Sequence, residues 1–307
     1  MPSAPVPTVP DRLLHTLKRE AMARRDIIGP FQWLSHAQDA VHTYCATSGH
    51  EFRGYHPHSS RSLVALVGRG HHDVPLHTLK IPYRLSTTAT PKTIIAAMVD
   101  WGRRGLAPWS KPVGGGVFSH YIDADSYFPR TTTQRAVTSI LSADLSFNGG
   151  SPQTLAQRLE LRHADALARH DLIMDLSPAE RDRRCGTGAT EAAATAMREL
   201  SDTTAYLLNR HRDSHTICHG DLAASNVIDG PDGPLLIDPE PHYGPREIDL
   251  GRLMVSAGEA TYAPSNAELR EVITAAGLDP TTAEWAAVHS AAGMTLYRLH
   301  KRATTIA

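Results

Sequence analysis

The segment CHGDLAASNVIDGPDGPLLIDPEP (218–241) constrains this chain more than any other stretch. It sets five acidic residues, an Asn and a His among short apolar runs. Carboxylates beside buried strands are costly unless something positive neutralises them. Between VID and LLID lies GPDG, whose Gly, Pro and Asp each suit tight backbone geometry. Folding the chain about that turn predicts a hairpin with Asn226 and Asp238 near-opposite at its open end. Asp221 lies on the loop leading in. A carboxylate and an amide oxygen at one point suit a hard cation such as Mg²⁺, which takes few protein oxygens and leaves room for phosphates.

The rest of the chain divides by texture. DRLLHTLKREAMARR (11–25) and PFQWLSHAQDAVHTY have apolar residues at helical spacing. RSLVALVG (61–68) and PLHTLKIPY (75–83) are strand-like and flank the turn-prone GRGHHD, which predicts an antiparallel hairpin with Lys80 near the end of its second strand. PKTIIAAMVDWGRRG (91–105) opens on Pro and closes on Gly, as helices do. GGGVFSHYIDADSY (114–127) reads as turn, strand and polar exit. Residues 131–215 read as mostly helical, with RDRRCGTGATE (181–191) as the break, and 265–304 returns to helix. The order is a small strand-rich lobe, a short connection near 119–123 and a larger helical lobe that contains the acidic hairpin.

Bulk properties narrow the classes. The chain has 307 residues, 41% hydrophobic and 21% charged, which fits an ordinary globular protein with a substantial core. With 31 basic against 32 acidic residues the net charge is −1, no footprint for nucleic acid, and no basic helix suggests a membrane surface. Cys45, Cys185 and Cys218 are odd in number and far apart, which fits a reduced compartment. MPSAPVPTVPDRL has no apolar signal core, and the longest apolar runs, such as LVALV, are too short to span a bilayer. The expectation is a soluble, cytoplasmic protein.

H219-G220-D221-x4-N226 followed by LIDPEP resembles the catalytic and metal loops of aminoglycoside phosphotransferases and related small-molecule kinases. LLIDPEP-x-x-G-x-x-x-x-DL is similar in particular to the streptomycin 6-kinase branch, and HYGPREIDL also resembles fructosamine kinases. Residues 216–254 carry the match. The resemblance implies an α+β, bilobal protein-kinase-like fold, with an antiparallel-sheet N-lobe over 1–118, a hinge at 119–123 and a helical C-lobe over 124–307. It implies a kinase that phosphorylates a hydroxyl of a small polar molecule with ATP or GTP and Mg²⁺, the acceptor being an aminoglycoside or related antibiotic. A metabolic acceptor of fructosamine, sugar or choline type stays open, as does a non-catalytic nucleotide-binding protein.

Carried over by position, the resemblance makes Asp221 the residue that orients the acceptor hydroxyl and takes its proton. Asn226 and Asp238 would hold Mg²⁺, and Lys80 the α- and β-phosphates. Asp249 would brace the catalytic loop and His219 would be its buried partner. Ser119 would be the gatekeeper, with the backbone of His120 and Ile122 meeting the adenine. The loop RGYHPHSS (53–60) would cover phosphates with amides and with Ser59 or Ser60. Phosphoryl transfer is mainly positioning and charge neutralisation, so these groups nearly complete the set. Residues 84–101 lack the Glu that usually meets such a lysine; their only acid is Asp100, at the far end. Glu240, Glu259, Asp123 and Asp125 are candidates for a cationic acceptor, each set against the plainer reading of a solvated surface acid. Cys218 reads as a buried apolar filler, and Arg246 and Glu247 as a pair on a surface loop.

Overall fold

The structure is a computed structural model that describes residues 8–24, 26, 28–57, 59, 61–70, 77–83, 89–121, 140, 142–230, 232–257 and 266–304. The chain divides into two compact units. The first comprises residues 1–126, 147–151 and 235–237, and the second 127–146, 152–234 and 238–307.

In the first unit two helices, α1 (Asp11–Arg24) and α2 (Ile28–Ser48), precede β1 (Glu51–Tyr55), β2 (Ser62–Gly68) and β3 (His77–Pro82). Helix α3 (Pro91–Arg103) follows, then β4 (Ser110–Val113) and β5 (Gly116–His120). The five strands form one antiparallel sheet in the order β1-β2-β3-β5-β4. Period-two alternation sorts its faces. Leu63, Ala65, Val67, Leu79, Ile81 and Phe118 pack on Leu13, Leu17, Leu34 and Val41 of α1 and α2. Val117 points the other way and packs with Ala89, Ile94, Met98 and Val99 along α3. Lys80 pairs with both Val64 and Val117, so it emerges on the α3 face. Helix α3 starts where Thr90 caps it, accepting the Thr93 N–H at 3.3 Å, with Pro91 in the first turn.

In the second unit the helices are α4 (Leu155–Met174), α5 (Pro178–Cys185), α6 (Ala189–His211), α7 (Glu247–Ala257), α8 (Asn266–Ala275) and α9 (Pro280–Thr304). Between α6 and α7 run β6 (Ile217–Cys218), β7 (Val227–Gly230), β8 (Gly233–Leu236) and β9 (His242–Tyr243), the last two residues of β8 counting with the first unit. Thr154 and Gln157 form a reciprocal capping box at the start of α4. Apolar stripes of α4, α6 and α9 meet around Ile173, Ala193, Leu200, Ala292 and Leu296. Leu155, Leu159, Leu207, Ile248 and Ala286 make a second cluster.

β7 and β8 pair about GPDG, the hairpin the turn residues specify. Three local expectations change. Glu51–Tyr55 is strand β1, with a bulge between Phe52 and Gly54, so the loop expected at 53–60 begins only after Tyr55. Ser110–Val113 adds edge strand β4. RDRRC lies in α5, and the break between helices is Gly186–Gly188, both glycines having positive φ. No helix among the described residues is long and apolar enough to cross a membrane.

Candidate active site

The catalytic loop is held from both ends. β6 pairs antiparallel with β9 in the register Ile217–Tyr243 and Cys218–His242, which brings the backbone of 219–220 against that of 240. The Glu240 N–H donates to the His219 carbonyl at 2.8 Å. Gly220 has φ +84°, and a Cβ there would lie 2.0 Å from the Glu240 carbonyl oxygen, so no side chain fits. Beneath the loop, Asp249 in the first turn of α7 is buried. Its carboxylate accepts the His219 N–H at 2.5 Å and the Gly220 N–H at 2.8 Å. Burial raises the Asp249 pKa, against the opposing pull of His219, the two amides and Arg246. His219 is fully buried and its Nδ1 accepts the Asp221 N–H at 3.4 Å. Cys218 is buried too, its Sγ donating to the Pro245 carbonyl at 3.3 Å.

This scaffold presents Asp221, whose side chain is 17% exposed. Asn226, closing the short helical turn Ala224–Asn226, donates Nδ2 to the Asp221 carbonyl at 2.7 Å and to Oδ2 at 3.3 Å. The amide nitrogen is therefore spent on Asp221, and Oδ1 is the face of Asn226 left to a cation. Asp238 follows β8 at φ +56°, the one non-glycine with positive φ among the described residues. Aspartate is one of the few residues that adopts this region readily. Local strain of this kind collects at functional sites. No three His, Cys, Asp or Glu side chains converge as a metal cage among the described residues. One amide oxygen and one carboxylate are instead a donor set fit for Mg²⁺, which completes its shell with water and phosphate oxygens.

The groups assigned to the nucleotide lie in the first unit. Lys80 is buried, 8% exposed, on the α3 face of β3. Asp100, the acid of α3, is paired with Arg104 at 3.0 Å. Ser119 is buried and shares a 2.7 Å hydrogen bond with Ser110, whose hydroxyl donates to the Pro108 carbonyl. The His120 N–H donates to the Trp109 carbonyl at 3.2 Å, so the amide expected to meet the adenine is committed within the sheet edge. Ser59 Oγ is buried and makes no hydrogen bond among the described residues. A buried hydroxyl with this much capacity to spare suits a phosphate oxygen. Ser60, Ile122, Asp123, Asp125 and Glu259 lie outside the described residues.

A fructosamine kinase family model matches residues 183–261. Over 54 residues the chain is 41% identical to the "Probable ketoamine kinase in tonB 3'region" of Klebsiella pneumoniae, covering 18% of this chain and 44% of that protein. Over 46 residues it is 44% identical to the "Probable ketoamine kinase YniA" of Escherichia coli K12, covering 15% of this chain and 16% of that one. The match thus spans less than half the length of either relative. Among solved structures, an ethanolamine kinase of Plasmodium vivax superposes with a TM-score of 0.52 at 13% identity over 84% of this chain and 78% of its own. The aminoglycoside phosphotransferase APH(3'')-Id of Streptomyces rimosus, solved with ADP and streptomycin, gives 0.50 at 15% identity over 82% and 97%. The fold is protein-kinase-like.

Within this kinase-like fold the surroundings of the loop differ from the sequence reading. Glu240 is not a solvated acid open to an acceptor: it is 5% exposed and forms a buried ion pair with Arg158. Arg246 and Glu247 do not pair with each other. Arg246 donates to the carbonyls of Ala143 and Ile140, and buried Glu247 accepts the Asp279 N–H at 2.9 Å. Three arginines absent from the reading stand around Asp221. Arg252 of α7 places Nε 3.3 Å from Asp221 Oδ1, and Arg162 of α4 donates to the Gly220 carbonyl at 2.9 Å. Arg158 donates to the same carbonyl at 3.3 Å. Burial first, and Arg158 second, lower the Arg162 pKa to about 9, which leaves it charged at neutral pH.

Proposed function

We propose that the protein transfers the terminal phosphoryl group of ATP to a hydroxyl of a small polar molecule, and that this acceptor is a ketoamine. The observation that carries the first part is the latch of Asp249 on the amides of His219 and Gly220, which fixes the loop that presents Asp221 beside Asn226. Asp221 orients the acceptor hydroxyl and takes its proton onto a carboxylate oxygen. Asn226 Oδ1 and Asp238 hold Mg²⁺, which when bound neutralises charge on the phosphates. Lys80 takes the α- and β-phosphates, and Ser59 donates to a phosphate oxygen.

The acceptor class rests on the match at 183–261, which includes HYGPREIDL and favours the fructosamine-type reading over the aminoglycoside one. A coupled ADP-release screen over ketoamines, aminoglycosides, sugars and amino alcohols tests both parts. Mg²⁺-dependent turnover with its highest kcat/KM on a ketoamine is the result expected. Highest turnover on an aminoglycoside would restore the antibiotic reading. Nucleotide binding with no turnover on any acceptor would favour a non-catalytic protein.

A further inference from the structure

The arginines around Asp221 bear on the acceptor's charge. Arg162 lies close enough to Arg158 and Arg252, and to Glu240 and Asp221, to feel the charge of all four. Glu240 is consumed by Arg158 in the interior. Asp221 meets Arg252 through a single 3.3 Å contact on Oδ1. Arg162 makes one hydrogen bond, to the Gly220 carbonyl, and no ion pair among the described residues. A half-buried guanidinium with most of its donors unspent and no ion pair among the described residues is a ready partner for an anion, to which its hydrogen bonds would be charge-assisted.

The side on which it arrives is set by Asp221. Asn226, the proposed metal ligand, holds Oδ2, whereas Arg252 holds Oδ1. The arginine side is thus the carboxylate oxygen away from Asn226. We infer that the acceptor carries an anionic group, in the first instance a carboxylate, received by Arg162 and Arg252 beside Asp221. This rests on the phosphotransferase reading and narrows it: the ketoamine is one formed on an amino acid whose carboxylate is free, and polycationic acceptors are repelled.

Calorimetry in the presence of Mg·ADP, comparing the ketoamine of glucose and glycine with that of glucose and glycinamide, tests the inference. The free carboxylate should bind at least about tenfold more tightly, the scale of a charge-assisted hydrogen bond. Arg162→Gln and Arg252→Gln should each abolish the preference and leave Mg·ADP affinity unaltered. Equal affinity for the two ligands, tighter binding of the amide, or no binding of the acid would overturn it. So would loss of Mg·ADP affinity in both variants, because the anion would then be the nucleotide's own phosphate. Turnover of both ligands at equal kcat/KM would sink this inference and leave the phosphotransferase standing. A preference for the acid without turnover of any acceptor would do the reverse.

Discussion

At the scale of single residues, Gly220 is the tightest point of the loop. It combines a positive φ with an approach to Glu240 that excludes even a methyl group. Gly220→Ala should therefore destabilise the fold by more than about 3 kcal/mol, from backbone strain plus a backbone clash. Gly186→Ala is the control for strain without a clash: its φ is +96° and ψ 158°, a region that glycine alone adopts readily, but nothing lies within 4 Å of the added carbon, so strain alone should cost about 1–3 kcal/mol. Urea unfolding of the two variants separates the effects, and equal losses would mean that the loop yields. The places of Asp249 beneath the loop and of Asn226 beside Asp221 were legible in the sequence because each falls at fixed spacing in one short stretch. Arg158, Arg162 and Arg252 were not. The first two sit a helical turn apart on α4, a spacing that reads as a solvated face, and the carbonyl they share lies roughly sixty residues away in sequence. Glu240 misled for the same reason, its partner being 82 residues distant.

At the scale of elements, hydrophobic alternation exposed β2 and β3, and caps exposed α3. Strands β1 and β4 escaped because one carries a bulge and the other is the edge piece SKPV, with Lys and Pro typical of edges rather than strand formers. The packing of α7 on α9 was equally invisible. Gly251 looks like a weak point in a helix, where Ala would ordinarily gain about 1 kcal/mol. Yet a Cβ there would lie 2.5 Å from the backbone of Ala286 and Ala287. Gly251→Ala should thus cost about 1–3 kcal/mol by forcing α7, which carries Asp249 and Arg252, off α9. Thermal denaturation gives the sign. A higher Tm would show that the helices separate freely.

For the molecule as a whole, two buried histidines set a pH limit. His242 and His289 are 1% and 4% exposed, and burial pushes the pKa of each down to about 3. For His242, Arg158 and Arg162 add to burial, and for His289, Arg162 and His163 do. Both stay neutral in the folded protein, whereas the unfolded chain takes up their protons below its ordinary value near 6.5. The unfolded state then binds more protons, so stability falls as pH drops from about 6.5 toward 3. Each should cost on the order of 2 kcal/mol by pH 5. His289→Gln should flatten the urea midpoint's fall between pH 7 and 5, and an unchanged slope would show that His289 charges in the fold.

As proposed, the latched loop delivers Asp221 to a substrate hydroxyl as a base, and other groups bind the nucleotide. Asp221→Asn tests it most directly, with kcat on the best ketoamine and Mg·ADP affinity measured on one preparation. In that variant kcat should fall by orders of magnitude while nucleotide affinity stays within about twofold. Retained kcat, or inactivity accompanied by lost Mg·ADP binding, would contradict it.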